Sequence, residues 1–206
     1  CNLDASGYTL SCDFSPLDSE YGQGSNVESF EDLGDSTYQI TYTISPYNQR
    51  ADSTYNLVVV AYDEAGNSAT SGVSITLDNT PPQFTSSPVS DREVYKNGDT
   101  ITLTLYLDAP GYTIHCSFDS IDTTYSRGSE SVEDKGDGSY QVTYKIGEEN
   151  TREDGSYYIS LTCQDAAGNL ASTYIQLTLD NTPPQLMEEI KVGRFSDINS
   201  NGWIEE

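Results

Sequence analysis

Residues 3–14 read LDASGYTLSCDF and return as LDAPGYTIHCSF at 107–118, an offset of 104. The segment EDLGDSTYQITYTI (31–44) answers EDKGDGSYQVTYKI (133–146) at an offset of 102. DEAGN at 63–67 matches DAAGN at 165–169, and LDNTPPQ occurs verbatim at 77–83 and 179–185. Four matches in the same order define a tandem repeat, so whatever one copy folds into, the other must also be able to form. The change of offset falls between Gly24 and Glu31, where a loop can absorb two residues. The repeat predicts one unit over 1–80, a second over 81–182, and the start of a further segment over 183–206.

Each copy is patterned as strands. In the second, Ile101, Leu103, Leu105 and Leu107 alternate with polar residues and Tyr106, and Tyr140, Val142, Tyr144 and Ile146 do the same. Ile159, Leu161 and Cys163, then Ile175, Leu177 and Leu179, continue the pattern. A period of two bounded by Gly, Asp, Asn and Pro marks half-buried antiparallel strands. No segment carries a sustained apolar period of 3.6, so the expected class is all-β. Several short strands in each copy point to a Greek-key β-sandwich. In repeat register Cys1 aligns with Leu105, so the first copy has no counterpart of residues 84–104. That offset suggests either a piece of a longer repetitive protein or a subunit completed by a donated strand.

The 206 residues carry 9 Lys+Arg against 33 Asp+Glu, a formal charge of −24. Such a chain repels phosphate, which excludes nucleic-acid binding through counterion release and disfavours anionic lipid surfaces. No run of 18 apolar residues is present, so no membrane insertion by a helix is expected. Sixteen Tyr argue for a folded chain, because acidic disordered segments are poor in aromatics.

Four cysteines allow three full pairings. Cys116 and Cys163 share the inward parity of their strands and are the expected pair. Ala61 stands where Cys163 stands in the other copy, which leaves Cys1 and Cys12 to pair across the Asp4–Gly7 turn. Disulfides would place the chain in an oxidising compartment. No N-x-[ST] sequon with a permissive middle residue occurs, which favours a prokaryotic source for an extracellular chain.

Catalytic chemistry finds little support. The single His115 lies on the outward parity of its strand and is replaced by Ser11 in the other copy, the pattern of a solvated strand histidine. No G-x-S-x-G, P-loop, H-E-x-x-H or C-x-x-C is present. The acids recur in turns of both copies, as expected of structural modules, and the chain is read as non-enzymatic. Asp63 and Asp165 open D-x-A-G-N hairpin turns, and Asp78 and Asp180 precede Asn-Thr-Pro-Pro, where two prolines stiffen the connection.

Metal binding is the better chemical expectation. Residues 197–206 read DINSNGWIEE. On an EF-hand loop, Asp197, Asn199 and Asn201 fill positions 1, 3 and 5, and Gly202 supplies the sharp turn at 6. Trp203 offers its carbonyl at 7, Ile204 is the apolar position 8, and Glu205 fills position 9. These residues make calcium the expected cofactor. Tyr38, Tyr42, Tyr55, Tyr140, Tyr144 and Tyr157 recur at matching positions, and their alternation points most of them inward, to core or tyrosine-corner roles. Glycan binding by a strand face, as in a carbohydrate-binding module of a secreted enzyme, is the alternative.

DEAGN…LDNTPP and DAAGN…LDNTPP resemble the endings of bacterial and archaeal Ig-like repeats of large surface proteins, Y-x-V-x-V-x-A-x-D-x-A-G-N…D-N-T-P-P. The likeness runs nearly to Gln185. It implies tandem Ig-like Greek-key sandwiches acting as extracellular structural or adhesive spacers at a prokaryotic cell surface, in surface layers or filaments. The implied partners are other domains or subunits of the same assembly. DINSNGWIEE resembles the calcium loops and dockerin-like segments found beside such repeats.

Overall fold

The structure, a computed structural model, describes residues 2–22 and 28–186. The described residues are all-β, with no helix and hence none long and apolar enough to cross a membrane. The first repeat supplies β1 (Thr9–Cys12), β2 (Glu28–Asp32), β3 (Tyr38–Tyr42), β4 (Ser53–Tyr62) and β5 (Ser68–Leu77). The second supplies β6 (Val89–Ser90), β7 (Val94–Tyr95), β8 (Thr100–Tyr106) and β9 (Thr113–Ser117). It continues with β10 (Ser131–Asp134), β11 (Ser139–Lys145), β12 (Gly155–Gln164) and β13 (Leu170–Leu179). No sheet contains strands from both repeats.

The second repeat is a sandwich of two four-stranded sheets, ordered β10-β11-β8-β6 and β7-β13-β12-β9. This is the Greek-key order of an immunoglobulin-like domain, with short β7 added parallel to the last strand. Period-two alternation sets the inner face. Ile101, Leu103 and Leu105 of β8 are fully buried, as are Tyr140 and Val142 of β11 and Ile159, Leu161 and Cys163 of β12. All belong to one core cluster, which continues through Phe118, Ile121 and Leu179. The register pairs Ile101 with Tyr144, Leu103 with Val142 and Leu105 with Tyr140. Slipping it by one residue would turn every one of those side chains to solvent.

The first repeat builds the same scaffold with fewer strands. Its sheets are β1-β4-β5 and β2-β3. They match β9-β12-β13 and β10-β11 in order and direction. No described strand of the first repeat occupies the place of β8. The core accordingly divides into two smaller clusters, one around Phe14, Leu17 and Leu57 and one around Leu10, Tyr38 and Ala61.

The expected Cys116–Cys163 disulfide is not formed; Cys12, Cys116 and Cys163 are free, buried thiols. The register explains why. Cys116 lies opposite Leu161 and Cys163 opposite Ile114, so the two sulfurs sit on one face but two residues out of step. Diagonal neighbours of that kind are ~7–8 Å apart, whereas a disulfide needs Cβ atoms at about 3.5–4.5 Å. Shared parity is necessary for a cross-strand bridge but does not suffice. Cys1, the expected partner of Cys12, lies outside the described residues.

The β2–β3 and β10–β11 hairpins show how a turn tolerates a substitution. Gly138 adopts φ +86° and accepts the Leu107 N–H on its carbonyl at 2.8 Å. A Cβ there would come within 2.6 Å of the Leu107 carbonyl oxygen, so glycine is required on both counts. The first repeat places Ser36 at the same point with φ +67°, the one non-glycine residue at positive φ among those described. It receives the equivalent bond from Leu3, also at 2.8 Å.

Candidate functional site

Among the described residues two carboxylates are buried, Asp18 and Asp122, each 1% exposed and at matching positions of the repeats. Asp122 follows β9 in a short turn in which Ile121 and Asp122 both donate their N–H to the Phe118 carbonyl. Its Oδ2 accepts from Tyr144 Oη at 2.7 Å and Gly147 N–H at 2.6 Å. Its Oδ1 accepts from the Thr124 N–H at 2.8 Å and hydroxyl at 2.7 Å. Burial alone pushes this carboxyl upward, but the Gly147 and Thr124 amides and the two hydroxyls prevail and hold it below the usual carboxylate range. Asp18 repeats the arrangement, accepting from Tyr42 Oη at 2.8 Å, Ser45 N–H at 2.7 Å and Glu20 N–H at 2.9 Å. Its pKa is lowered in the same way, hydrogen bonds overcoming burial.

Aromatic rings pack around the tyrosine that binds each carboxylate. Phe118 stacks on Tyr144 with centroids 4.3 Å apart, and Phe14 on Tyr42 at 4.1 Å. Tyr125 meets Tyr144 edge-on at 5.5 Å, and Tyr21 meets Tyr42 at 5.8 Å. Beside this knot, Asn150 accepts from Thr123 N–H and Arg152 N–H and donates to the Ile121 carbonyl. Asn48 does the same with Ser19, Arg50 and Leu17. The donors around Asp122 include four groups bound to its two oxygens, which leaves no face for a substrate. This constellation ties the loops after β9 and β11 together.

The surface acids have comparable duties. Asp52 and Asp154 accept from the N–H of Asn79 and Asn181 and from the hydroxyls of Thr80 and Thr182, fastening the LDNTPP segments. Asp63 and Asp165 accept from both the backbone N–H and the side-chain amide of Asn67 and Asn169. Asp32 and Asp134 accept from Gly7 and Gly111. No cluster of three His, Cys, Asp or Glu suited to a metal ion occurs among the described residues. The calcium-loop residues Asp197, Asn199, Asn201, Trp203 and Glu205 lie outside them. His115 is exposed on β9 opposite Thr162, as its parity indicates. Tyr38 and Tyr140 are buried, and each hydroxyl accepts from a backbone N–H, that of Tyr8 or Tyr112.

A cleft of about 380 Å³ lies in the first repeat. Its floor is the inner face of β4 and β5 with Leu57, Val59, Val73 and Ile75, and its wall is Phe14 and Ile40. In the second repeat the counterparts of Ile40, Leu57, Val59 and Ile75 are buried in the core that includes β8, and Ile175, the counterpart of Val73, is half-buried. Leu161 and Val142 are fully buried there, whereas Val59 and Ile40 are only half-buried. On the outer face of the second repeat, Tyr158 and Tyr174 are 58% and 66% exposed, with ring centroids 5.3 Å apart and planes at 84°.

Sequence reasoning passed over Asp18, Asp122, Asn48 and Asn150. Their signal was available: polar residues recurring in register within segments whose neighbours Leu17 and Ile121 are apolar. Tyr158 and Tyr174 were also missed, because the first repeat has Asn56 and Gly72 there and the repeat pattern does not mark them.

No family model and no curated protein matches the sequence. Among solved structures, a three-domain immunoglobulin segment of titin is similar at 14% identity and a TM-score of 0.36, covering 85% of this chain and 56% of that one. The fibronectin(III)-like modules of Clostridium thermocellum CbhA align at 16% identity and a TM-score of 0.35, over 75% of this chain and 76% of theirs. The D00-D0 domain of intimin aligns at 15% identity and 0.28, over 85% of each chain. The chain spans little more than half the titin segment.

Proposed function

We propose that the chain is a non-enzymatic structural or adhesive module, a pair of Ig-like repeats in an extracellular protein of a prokaryotic surface, surface layer or filament. The observation that carries this reading is the use made of the acids. At matching positions of both repeats, carboxylates accept backbone N–H groups at turns and strand ends, so the residues best suited to chemistry by type act as fasteners. Among the described residues no buried side-chain polar atom lacks a partner. Unsatisfied buried groups are a common mark of a site awaiting a ligand. An antibody against the second repeat should label intact cells that express the parent protein, and brief external protease should remove the label. Labelling only after lysis would overturn the extracellular assignment.

Calcium is part of this proposal on the strength of the DINSNGWIEE pattern alone. Isothermal titration of the full chain with calcium should show saturable binding that Asp197→Ala abolishes. Heat signals identical in the variant would remove the metal from the reading.

A second reading, glycan binding, is favoured by the exposed Tyr158–Tyr174 pair, since exposed rings on a strand face can stack on sugars. Retardation of the chain in polysaccharide-containing gels, abolished by Tyr158→Ala with Tyr174→Ala, would establish it. Unchanged mobility would dismiss it.

A further inference from the structure

We propose that the outer face of β9, β12 and β13 in the second repeat binds a neutral, extended oligosaccharide. The Tyr158–Tyr174 corner stacks on one sugar, and a groove beside it takes the hydroxyls of the next. This rests on the glycan reading above and adds to it a ligand charge, a chain length and a second set of residues. The register makes the face continuous. Ser160 lies directly between Ser117 of β9 and Tyr174 of β13, and Thr162 lies between His115 and Ser172. Tyr158 shares their parity on β12 and is exposed on the same side.

The groove, of about 300 Å³, runs over β9 and β12 and is lined by His115, Ser117, Arg127, Ser160 and Thr162. Most of its polar groups are uncommitted. Among the described residues, nothing hydrogen-bonds or pairs with the Arg127 guanidinium, the His115 ring or the hydroxyls of Ser160 and Thr162. The other described arginines are engaged. Arg50 and Arg152 donate to the carbonyls of Ser15 and Asp119, and Arg92 pairs with Asp91 and Asp99. Further along the same face the Ser156 and Thr178 hydroxyls bond each other at 3.2 Å.

The two halves suit a sugar chain. The tyrosine rings meet at 84°, so both cannot lie flat on one ligand; one ring takes the apolar C–H side of a sugar and the other closes its flank. Sugar hydroxyls donate and accept at once, as do those of Ser160 and Thr162, and the Arg127 fork supplies further donors. Neighbouring strands lie ~4.8 Å apart, so β9 to β13 spans ~10 Å, more than a single sugar covers. Flanking carboxylates set the charge. Ser117 donates to Asp119 at 2.6 Å and Tyr125 to Glu130 at 3.2 Å, in a chain whose formal charge is −24. Such a field turns away uronate and sulfate groups. The side chains are also peculiar to this copy. Inner-face Ile159 and Leu161 answer Leu57 and Val59, whereas Tyr158, Ser160, Thr162 and Tyr174 stand where the first repeat has Asn56, Val58, Val60 and Gly72. His115 and Arg127 stand for Ser11 and Gln23. The shared scaffold forms without them, so folding does not account for their gathering on one face.

The test uses the full chain with cellohexaose, xylohexaose, mannohexaose and maltohexaose as probes. Titration followed by amide NMR should show saturable binding of at least one. Shifts should be concentrated at Tyr158, Ser160, Thr162, His115 and Arg127, with the first repeat unmoved. The corresponding disaccharide should bind at least about tenfold more weakly, and the anionic hexagalacturonate more weakly than the neutral hexamer. Arg127→Ala combined with Thr162→Val should weaken binding by about tenfold, the loss of two hydrogen-bonding groups. Arg127 is exposed and Thr162 half-buried, so the fold survives both changes. No binding by any of the probes would remove the glycan reading and this site with it. Binding that Tyr158→Ala with Tyr174→Ala abolishes, but that the Arg127 and Thr162 changes leave untouched, would keep that reading and overturn this one. So would a disaccharide that binds as tightly as the hexamer. Tighter binding of the galacturonate would overturn the neutral ligand.

Discussion

Tyr144 donates its hydroxyl proton to Asp122 Oδ2 at 2.7 Å, and both groups lie in the interior of the second repeat. Tyr42 makes the same bond to Asp18 at 2.8 Å in the first. A buried carboxylate is costly unless its oxygens are bound by donors, and here amides and hydroxyls surround it. The Tyr144 hydroxyl is correspondingly hard to ionise, its pKa raised by burial and by the neighbouring Asp122.

Replacing Asp122 with Ala orphans the Gly147 and Thr124 amides and the Tyr144 hydroxyl at one stroke. The expected loss is about 3 kcal/mol, since hydrogen bonds to charged groups contribute ~1.5–3 kcal/mol and unsatisfied donors add a penalty. In a domain of about 100 residues that lowers the melting temperature by more than roughly 10 °C. Differential scanning calorimetry of the full chain should show the second repeat's transition moving while the first repeat's stays in place.

Acid should weaken the fold through the same groups. The folded-state pKa values of Asp18 and Asp122 lie below their unfolded values of about 3.9. Their contribution is therefore complete above that pH and is lost as pH falls through the depressed folded values. Urea midpoints recorded between pH 6 and pH 2 should drop below about pH 4. Asp122→Asn should reduce the steepness of that drop for the second repeat.

Ser36→Gly should stabilise the first repeat by about 1 kcal/mol, because a side chain at positive φ carries a penalty of roughly 1–2 kcal/mol that glycine avoids. Gly138→Ala should destabilise the second repeat, its new Cβ meeting the Leu107 carbonyl oxygen. Chemical denaturation of the two variants checks the opposite signs.

Thiol reagents should find Cys116 and Cys163 unreactive in the native chain. Burial pushes Cys116 up to about 12 and Cys163 up to about 11, so almost no thiolate exists at neutral pH. Dithiothreitol should leave the second repeat's melting temperature unchanged, and both thiols should titrate with Ellman's reagent once the repeat is unfolded in urea.

A formal charge of −24 repels itself at close quarters. Raising sodium chloride from 10 to 500 mM shortens the Debye length from about 30 Å to below 10 Å, so the melting temperatures of both repeats should rise. A fall with salt would mean that favourable ion pairs outweigh the repulsion, although those present, such as Lys145–Glu148, are exposed and individually weak.

The repeated blocks, their period-two alternation and their turn residues were enough to place the strands and their inner faces. Ile101, Leu103, Tyr140 and Leu161 are buried where their parity puts them, because a side-chain period of two is a local property of any extended chain. Pairing depends on something else: which residue of one strand lies opposite which residue of another. Parity cannot distinguish a direct neighbour from a diagonal one, and a two-residue offset across β9 and β12 keeps Cys116 and Cys163 apart. The burial of Asp122 was hidden for a related reason. An aspartate is tolerable in the interior only when separate segments converge on it with donors, and Thr124, Tyr144 and Gly147 come together around it only in the folded sandwich.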